Sequence, residues 1–218
     1  MYTAVKSLLY NSDVERIYLG IEDDVFPYEL PELCSVMNLS GQTIFDKDGP
    51  NYKNGWTYMA LMRAALVKIL PDELDRVLSL DIDTIVDGDI SELWELPIDD
   101  YYIAGAHEWH ETTNKFLYVN VGVTLHNLKK LRDGKADEII RALNTRRFEF
   151  CEQDAINIYC QGYIYDMPAK YNAEYYTEKV RRPKIIHHIG NNALLQTYPD
   201  YQKYAAIDMA DIMRRRTL

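Results

Sequence analysis

Residues 76–94 read RVLSLDIDTIVDGDISELW, and this stretch decides how the rest of the chain is interpreted. Val77, Leu78 and Leu80 form an apolar run of strand length that leads straight into Asp81 and Asp83. Alternate side chains of extended backbone leave on the same side, so the Asp-x-Asp spacing throws both carboxylates onto one face. At the C-terminal end of a buried α/β strand, that face looks into the crevice where such proteins bind ligands. Two carboxylates so close repel, and one would be driven to take up a proton unless a cation intervened. A divalent cation is therefore expected. Oxygen ligands suit magnesium or manganese, and an added imidazole tilts the choice towards manganese. Asp89 and Glu92 have the D-x-x-E spacing of a capping box for a short helix at ISELW, and Asp87 reads as a turn residue.

Outward from this stretch, helical and strand periodicities alternate. Residues 2–11 predict an amphipathic helix with Val5, Leu8 and Leu9 on one face, and residues 16–22 predict a buried strand. A second strand is expected within 35–45. The turn formers of 46–56 precede a long helix from Thr57 that Pro71 stops. Further strands are predicted at 101–106, 116–126, 163–172 and 183–190, and helices at 128–143, 152–160 and from Leu194 onward. This alternation predicts an α/β fold with a mostly parallel, mixed sheet, organised as a catalytic domain over 1–190 and a C-terminal helical tail over 191–218.

The chain has 218 residues, 47% of them hydrophobic and 27% charged, enough to bury a core without disulfide or zinc staples. Its formal net charge of -10 disfavours nucleic-acid partners. An acidic protein that handles a diphosphate needs local neutralisation, which a bound metal ion supplies. The 18 tyrosines offer apolar faces with polar edges, suited to wet or sugar-lined clefts. Cys34, Cys151 and Cys160 have no metal-type spacing and read as reduced thiols. The first residues lack a signal-peptide pattern, and no apolar run of about 18 residues occurs, so a cytoplasmic protein without a membrane span is expected. Arg214, Arg215 and Arg216 give only marginal attraction to an anionic membrane surface, and a solvated terminus is the simpler expectation. The oligomeric state is left open.

Two families carry a strand-borne motif of this kind. LDIDTIV fits the first motif of haloacid-dehalogenase-like phosphatases, in which the leading aspartate is a nucleophile. That chemistry requires a later G-D-x-x-x-D segment, which the chain lacks. Across nearly its whole length the chain instead resembles the family 8 glycosyltransferases of bacteria, a GT-A-type fold. Arg63 stands eight residues before Pro71, then come VLSLDIDTIV and DISEL. YVNVGV follows with Asn120 and Gly122 in register, then Glu152, Gln153, Asp154 and Asn157, then Lys170, Tyr171 and Asn172, and finally IIHHIG with His187 and Gly190.

The resemblance implies a retaining enzyme that moves a hexose, glucose or galactose, from a UDP-sugar donor to a carbohydrate, lipid or protein acceptor. It implies that Asp81, Asp83 and His187 ligate manganese or magnesium, and that the metal stabilises the departing UDP. Arg63, Asn120, Glu152 and Gly190 would contact the donor. Gln153 would sit at the reacting face of the sugar. A neutral amide is a poor nucleophile, so front-face attack is favoured, with Gln153 stabilising an oxocarbenium-like state and Asp154 the alternative nucleophile. His188 is read as structural.

Three further features bear on activity. The family's first strand, which carries nucleotide contacts, has no counterpart before the helix at 2–11, so an N-terminally truncated domain is expected. Ala193, Leu194 and Leu195 stand where the family has K-P-W. Both departures keep open a catalytically impaired scaffold or interaction protein. His107 and His110, in H-E-W-H, have imperfect metal spacing, and their loop is expected to line the sugar pocket with Glu108 accepting from a hydroxyl.

Overall fold

The computed structural model describes residues 1–55, 57–108, 117–174, 180–190 and 194–216. Along the chain run α1 (Tyr2–Asn11), β1 (Ile17–Ile21), β2 (Cys34–Asn38), a 3-10 helix (Ala60–Ala65), α2 (Leu66–Ile69), β3 (Arg76–Leu80) and β4 (Thr84–Val86). A 3-10 helix (Ser91–Glu95), β5 (Ile103–His107), β6 (Val119–Asn127), α3 (Leu128–Leu131), α4 (Lys135–Thr145) and α5 (Cys151–Tyr159) follow. The last elements are β7 (Ile164–Asp166), a 3-10 turn (Ala169–Tyr171), β8 (Ala173–Glu174), β9 (Ile185–His187), another 3-10 turn (Leu195–Thr197), α6 (Pro199–Ala205) and α7 (Met209–Arg216). The fold is α/β with mixed sheets and a helical C-terminal segment. No helix of the described residues is long and apolar enough to cross a membrane.

The chain divides into two compact units. The first comprises Met1–Met37, Leu80–Leu96 and Pro168–Leu218, and the second Asn38–Ser79 and Pro97–Met167. The second is built on the sheet β3-β6-β5-β7, with β5 antiparallel to β6 and parallel to β7. Every residue of β6 is buried. Its odd positions are Val119, Val121, Val123 and Leu125; its even positions are Asn120, Gly122, Thr124 and His126. Up to the terminal Asn127, one face is thus apolar and the other carries the polar chemistry, as period-two alternation allows.

In the first unit the sheet β4-β9-β8 pairs β4 antiparallel to β9, with Thr84 opposite His187, and β8 parallel to β9. α1 packs on β4. Val5, Leu8 and Leu9 are buried as expected, and Ser7, Lys6 and Thr3 are buried with them. Buried polar groups need partners. Ser7 Oγ accepts from the Val86 amide (3.0 Å) and Asn11 Nδ2 donates to the Val86 carbonyl (2.8 Å). Lys6 Nζ donates to the carbonyls of Ala205 and Ile207, both at 2.7 Å, at the C-terminal end of α6, where the helix dipole favours a cation. Arg216 does the same for α1, donating to Leu9 and Ser12 carbonyls.

Four expectations are corrected here. The long helix from Thr57 is a 3-10 helix followed by a single α turn: Ala60, Leu61 and Met62 bond three residues back, and Tyr58 is stacked on Tyr52. The helix at 128–143 breaks at Gly134, whose φ of +111° no side-chain-bearing residue adopts without strain. The capping box does not form, the residue ahead of the 3-10 helix being Ile90. Asp89 accepts from Ser91 N and Oγ, while Glu92 turns away to Lys170 (2.7 Å) and Tyr171 (2.5 Å). The basic end is only partly solvated: Arg214 and Arg215 are exposed, Arg214 pairing with Asp211 and Arg215 lying 4.1 Å over the Tyr10 ring, whereas Arg216 pairs with Asp13 at 2.6 Å and is held against α1.

Gly134→Ala has open space for its methyl, so its penalty is conformational alone. It is expected to destabilise by about 1–2 kcal/mol, read as a lower urea midpoint with an unchanged m-value.

Candidate functional site

The first unit holds a metal-type constellation. Asp81 to Asp83 form the turn between β3 and β4, the Thr84 amide donating to the Asp81 carbonyl at 3.2 Å, rather than the extended run expected; β9 ends at His187, and its antiparallel pairing with β4 sets the imidazole beside the acidic pair. His187 Nε2 lies 3.3 Å from Asp83 Oδ1 and 3.6 Å from Asp81 Oδ2, and one ligand atom from each residue falls within 4.8 Å of the others. A cation with bonds of about 2.1 Å can bridge such atoms. His187 is buried, Asp83 nearly so, and Asp81 part-exposed, a gradient that leaves an open side for a ligand.

The donor set fits a metal in a second respect. His187 Nδ1 is 3.0 Å from Asn172 Oδ1. An amide oxygen can only accept, so it holds the ring proton on Nδ1 and leaves the Nε2 lone pair aimed at the carboxylates. Asn172 was legible in the sequence only as the end of the Lys170-Tyr171-Asn172 match; its role as the partner of the imidazole is set by the fold. Asp87, read as a turn residue, accepts from Lys203 Nζ and Tyr204 Oη at 2.6 Å each.

The second unit holds a polar cluster where β5, β6 and α5 meet. Glu108 Oε2 accepts from Asn120 Nδ2 (2.9 Å) and Gln153 Nε2 (3.0 Å). Gln153 Oε1 accepts from the Val121 amide at 3.1 Å, which fixes the orientation of its side chain. Tyr118 Oη donates to Asp154 Oδ1 at 2.7 Å, and Asp154 Oδ2 accepts from the Phe150 amide at 2.8 Å. Burial, then the hydrogen bond to Asp154, push the Tyr118 phenol far above its ordinary value, so it stays protonated as a donor. Cys151, just ahead of this run, has a φ of +50°, a rare conformation for a residue with a side chain. Tyr118 escaped the sequence reading because nothing in its neighbourhood marks it as more than a strand aromatic.

Arg63 and Glu152 are also joined in this unit, Nη1 to Oε1 at 3.1 Å with side chains 9% and 8% exposed. Beside them His126 is buried, its Nε2 2.9 Å from Thr124 Oγ1. Burial, and then the Arg63 charge, hold its imidazole well below the ordinary histidine range, at about 3. A neutral His126 leaves Glu152 as the counter-ion of Arg63. His126 carried no signal in the sequence beyond its place on an apolar strand.

The expected site residues thus fall into two groups. Asp81, Asp83, His187 and Gly190 lie in the first unit; Arg63, Asn120, Glu152, Gln153 and Asp154 lie in the second. Gly190 has a φ of +72°, and a Cβ there would meet nothing within 4 Å, so backbone conformation alone favours glycine. Leu195 is buried and Leu194 exposed. His110 and Ala193 lie outside the described residues.

Comparison with known proteins adds the lineage. The sequence profile of Glycosyl transferase family 8 matches residues 26–194. The lipopolysaccharide 1,2-glucosyltransferase of Escherichia coli (strain K12) is 27% identical over 134 residues, covering 55% of this chain and 40% of its own. The curated relatives matched are longer proteins, of which the chain spans 40% to 54%. The crystal structure of the glycosyltransferase GlyE of Streptococcus pneumoniae TIGR4 superposes with a TM-score of 0.73 at 20% identity, covering 98% of this chain and 58% of that one. The galactosyltransferase LgtC, crystallised with donor and acceptor sugar analogues, gives 0.59 at 17% identity, covering 80% of this chain and 75% of that one. These likenesses establish a GT-A-type fold.

Two stability outcomes follow from the second unit. Arg63→Met strands the Glu152 carboxylate and is expected to cost about 3–5 kcal/mol, more than the double variant Arg63→Met/Glu152→Leu, by chemical denaturation. The folded state excludes a proton from His126 that the unfolded chain accepts below about 6.5. Stability is therefore complete above that pH and falls as pH drops towards about 3. His126→Gln should flatten the urea midpoint between those pH values by one proton's slope, about 1.4 kcal/mol per pH unit.

Proposed function

Because the chain belongs to glycosyl transferase family 8, we propose that it transfers a hexose from a UDP-sugar to a glycan, lipid or protein acceptor, with retention at the anomeric carbon. The observation that carries this reading is the convergence of Asp81 and Asp83, from a turn, and His187, from a strand about a hundred residues further on, onto one point. Their oxygen and nitrogen donors suit manganese, with magnesium the alternative. When bound, the cation supplies a Lewis acid that neutralises the charge of the departing diphosphate. Asn172 keeps the imidazole in the ligating tautomer, and Gly190 supplies a turn that a side chain would strain.

The second unit supplies the groups for the sugar. Asn120 and Gln153 present amides held by the Glu108 carboxylate, polar groups of the kind that recognise sugar hydroxyls. Arg63 and Glu152 contact the donor in this reading as a pair, the carboxylate accepting from sugar hydroxyls while the guanidinium holds it in place. Gln153 is neutral and its amide oxygen already accepts from Val121, so it serves front-face attack by stabilising the oxocarbenium-like state rather than as a nucleophile. Asp154, bonded to Phe150 N and Tyr118 Oη, is tied at the start of α5, which favours an orienting role over a nucleophilic one.

A glucosyltransferase among the relatives and a galactosyltransferase among the structural neighbours support glucose or galactose as the sugar. In this reading residues 1–190 form the catalytic domain, in the cytoplasm, where UDP-sugars are made.

Titration calorimetry of UDP tests the proposal. Wild type should bind UDP with manganese and lose at least about tenfold in affinity without it, and Asp83→Ala should behave like metal-free protein. Binding that ignores both the metal and the substitution refutes the metal-assisted reading. In a transfer assay, Gln153→Ala should lower kcat on the order of 100-fold with little change in KM.

A further inference from the structure

α6 bonds the residues next to β9, which bears His187, and next to β4, which directly follows Asp83. On the β9 side, His188 follows the ligand His187. Its ring is fully buried, its Nε2 donates to Asp200 Oδ2 at 2.6 Å, and Tyr198 stacks on it at 4.4 Å with an interplanar angle of 15°. The His188 amide in turn donates to the carbonyl of the ligand Asp83 at 3.0 Å. On the β4 side, Lys203 and Tyr204 both bond Asp87, four residues beyond Asp83. Tyr204 Oη also accepts from Asn11 Nδ2, which bonds the Val86 carbonyl. One short helix therefore reaches one strand through Asp200 and the other through Lys203 and Tyr204.

We propose that α6 is a splint for the metal centre: Asp200, acting through His188, and Tyr204, acting through Asp87, hold β9 and β4 at the spacing a divalent cation requires. These are positioning residues; neither touches a ligand side chain. Four groups make the assignment specific. A helix packed on a sheet for stability alone would need only apolar contact, whereas Asp200, Tyr204, Asp87 and His188 are polar, buried or part-buried, and directed at the segments adjoining the ligands. Holding two strands in register matters because a shift of about 1 Å in one ligand degrades a metal site. The inference rests on Asp81, Asp83 and His187 being the metal ligands.

Manganese titrated alone into the whole chain by calorimetry, well below each variant's melting temperature, separates this from simple stabilisation. Asp200→Ala should weaken manganese binding about tenfold or more, as loss of groups that support metal ligands does. Asp200→Asn, which keeps an oxygen for the His188 N–H, should restore most of it. Tyr204→Phe, which deletes one oxygen and leaves the packing, should weaken binding several-fold. Arg216→Met cuts the tie of α7 to α1 and should lower the melting temperature with manganese affinity unchanged. Wild-type affinity in both Asp200→Ala and Tyr204→Phe overturns the proposal, as does an equal loss in Arg216→Met, which would report general loosening. A wild type that binds no manganese overturns the metal-ligand reading itself, and this inference with it.

Discussion

Like-charge repulsion between Asp81 and Asp83 is the constraint on which the first unit is organised. Two carboxylates placed together by the turn at 81–83 need positive charge or donors close by. The chain sets an imidazole beside them, and with its Nε2 lone pair turned to the carboxylates the three groups make a donor set that suits a cation. The antiparallel pairing of β4 and β9 brings that imidazole across, and Asn172 sets its tautomer. The ordering matters: without the register of those two short strands, neither the acidic pair nor the histidine would constitute a site.

The second unit meets a different version of the same problem. Its polar groups are buried at the edge of an all-buried strand, where an unmatched donor or acceptor is costly. The groups are paired with one another: Glu108 with Asn120 and Gln153, Gln153 with Tyr118, Tyr118 with Asp154, and Arg63 with Glu152. Such a network holds its members in one orientation, which is the preorganisation that recognition of a hydroxyl-rich ligand calls for. His126 remains neutral within it, so the Arg63 charge is directed to Glu152.

The helical C-terminal segment is bound into the first unit at both ends. Lys6 of α1 serves the last carbonyls of α6, and Arg216 of α7 serves the last carbonyls of α1. This reciprocal arrangement explains why residues that look like a basic, solvated end are spent on packing. A helix end exposes carbonyls that a cation satisfies well, and a side chain from another helix is as good a source as one from its own last turn.

The sequence by itself determined the elements whose signals are local. The strand into Asp81, the all-buried strand at 119–127, the first helix and the helix bearing Gln153 are legible because periodicity, β-branched runs and a stop at proline need no distant partner. The candidate site residues were legible as an ordered series of short motifs, from Arg63 through Asp81 and Asp83 to His187. Tertiary structure decided the rest. The helix expected at 60–65 tightens to 3-10, while Glu92 leaves its expected cap for Lys170 and Tyr171 and Arg216 folds back onto α1, the last two because a partner far along the chain offers more than the local alternative. Asn172, Tyr118, His126 and Asp200 take their roles the same way. A hydrogen bond between residues a dozen or more apart is a property of strand register and helix docking, and no single stretch of sequence encodes it.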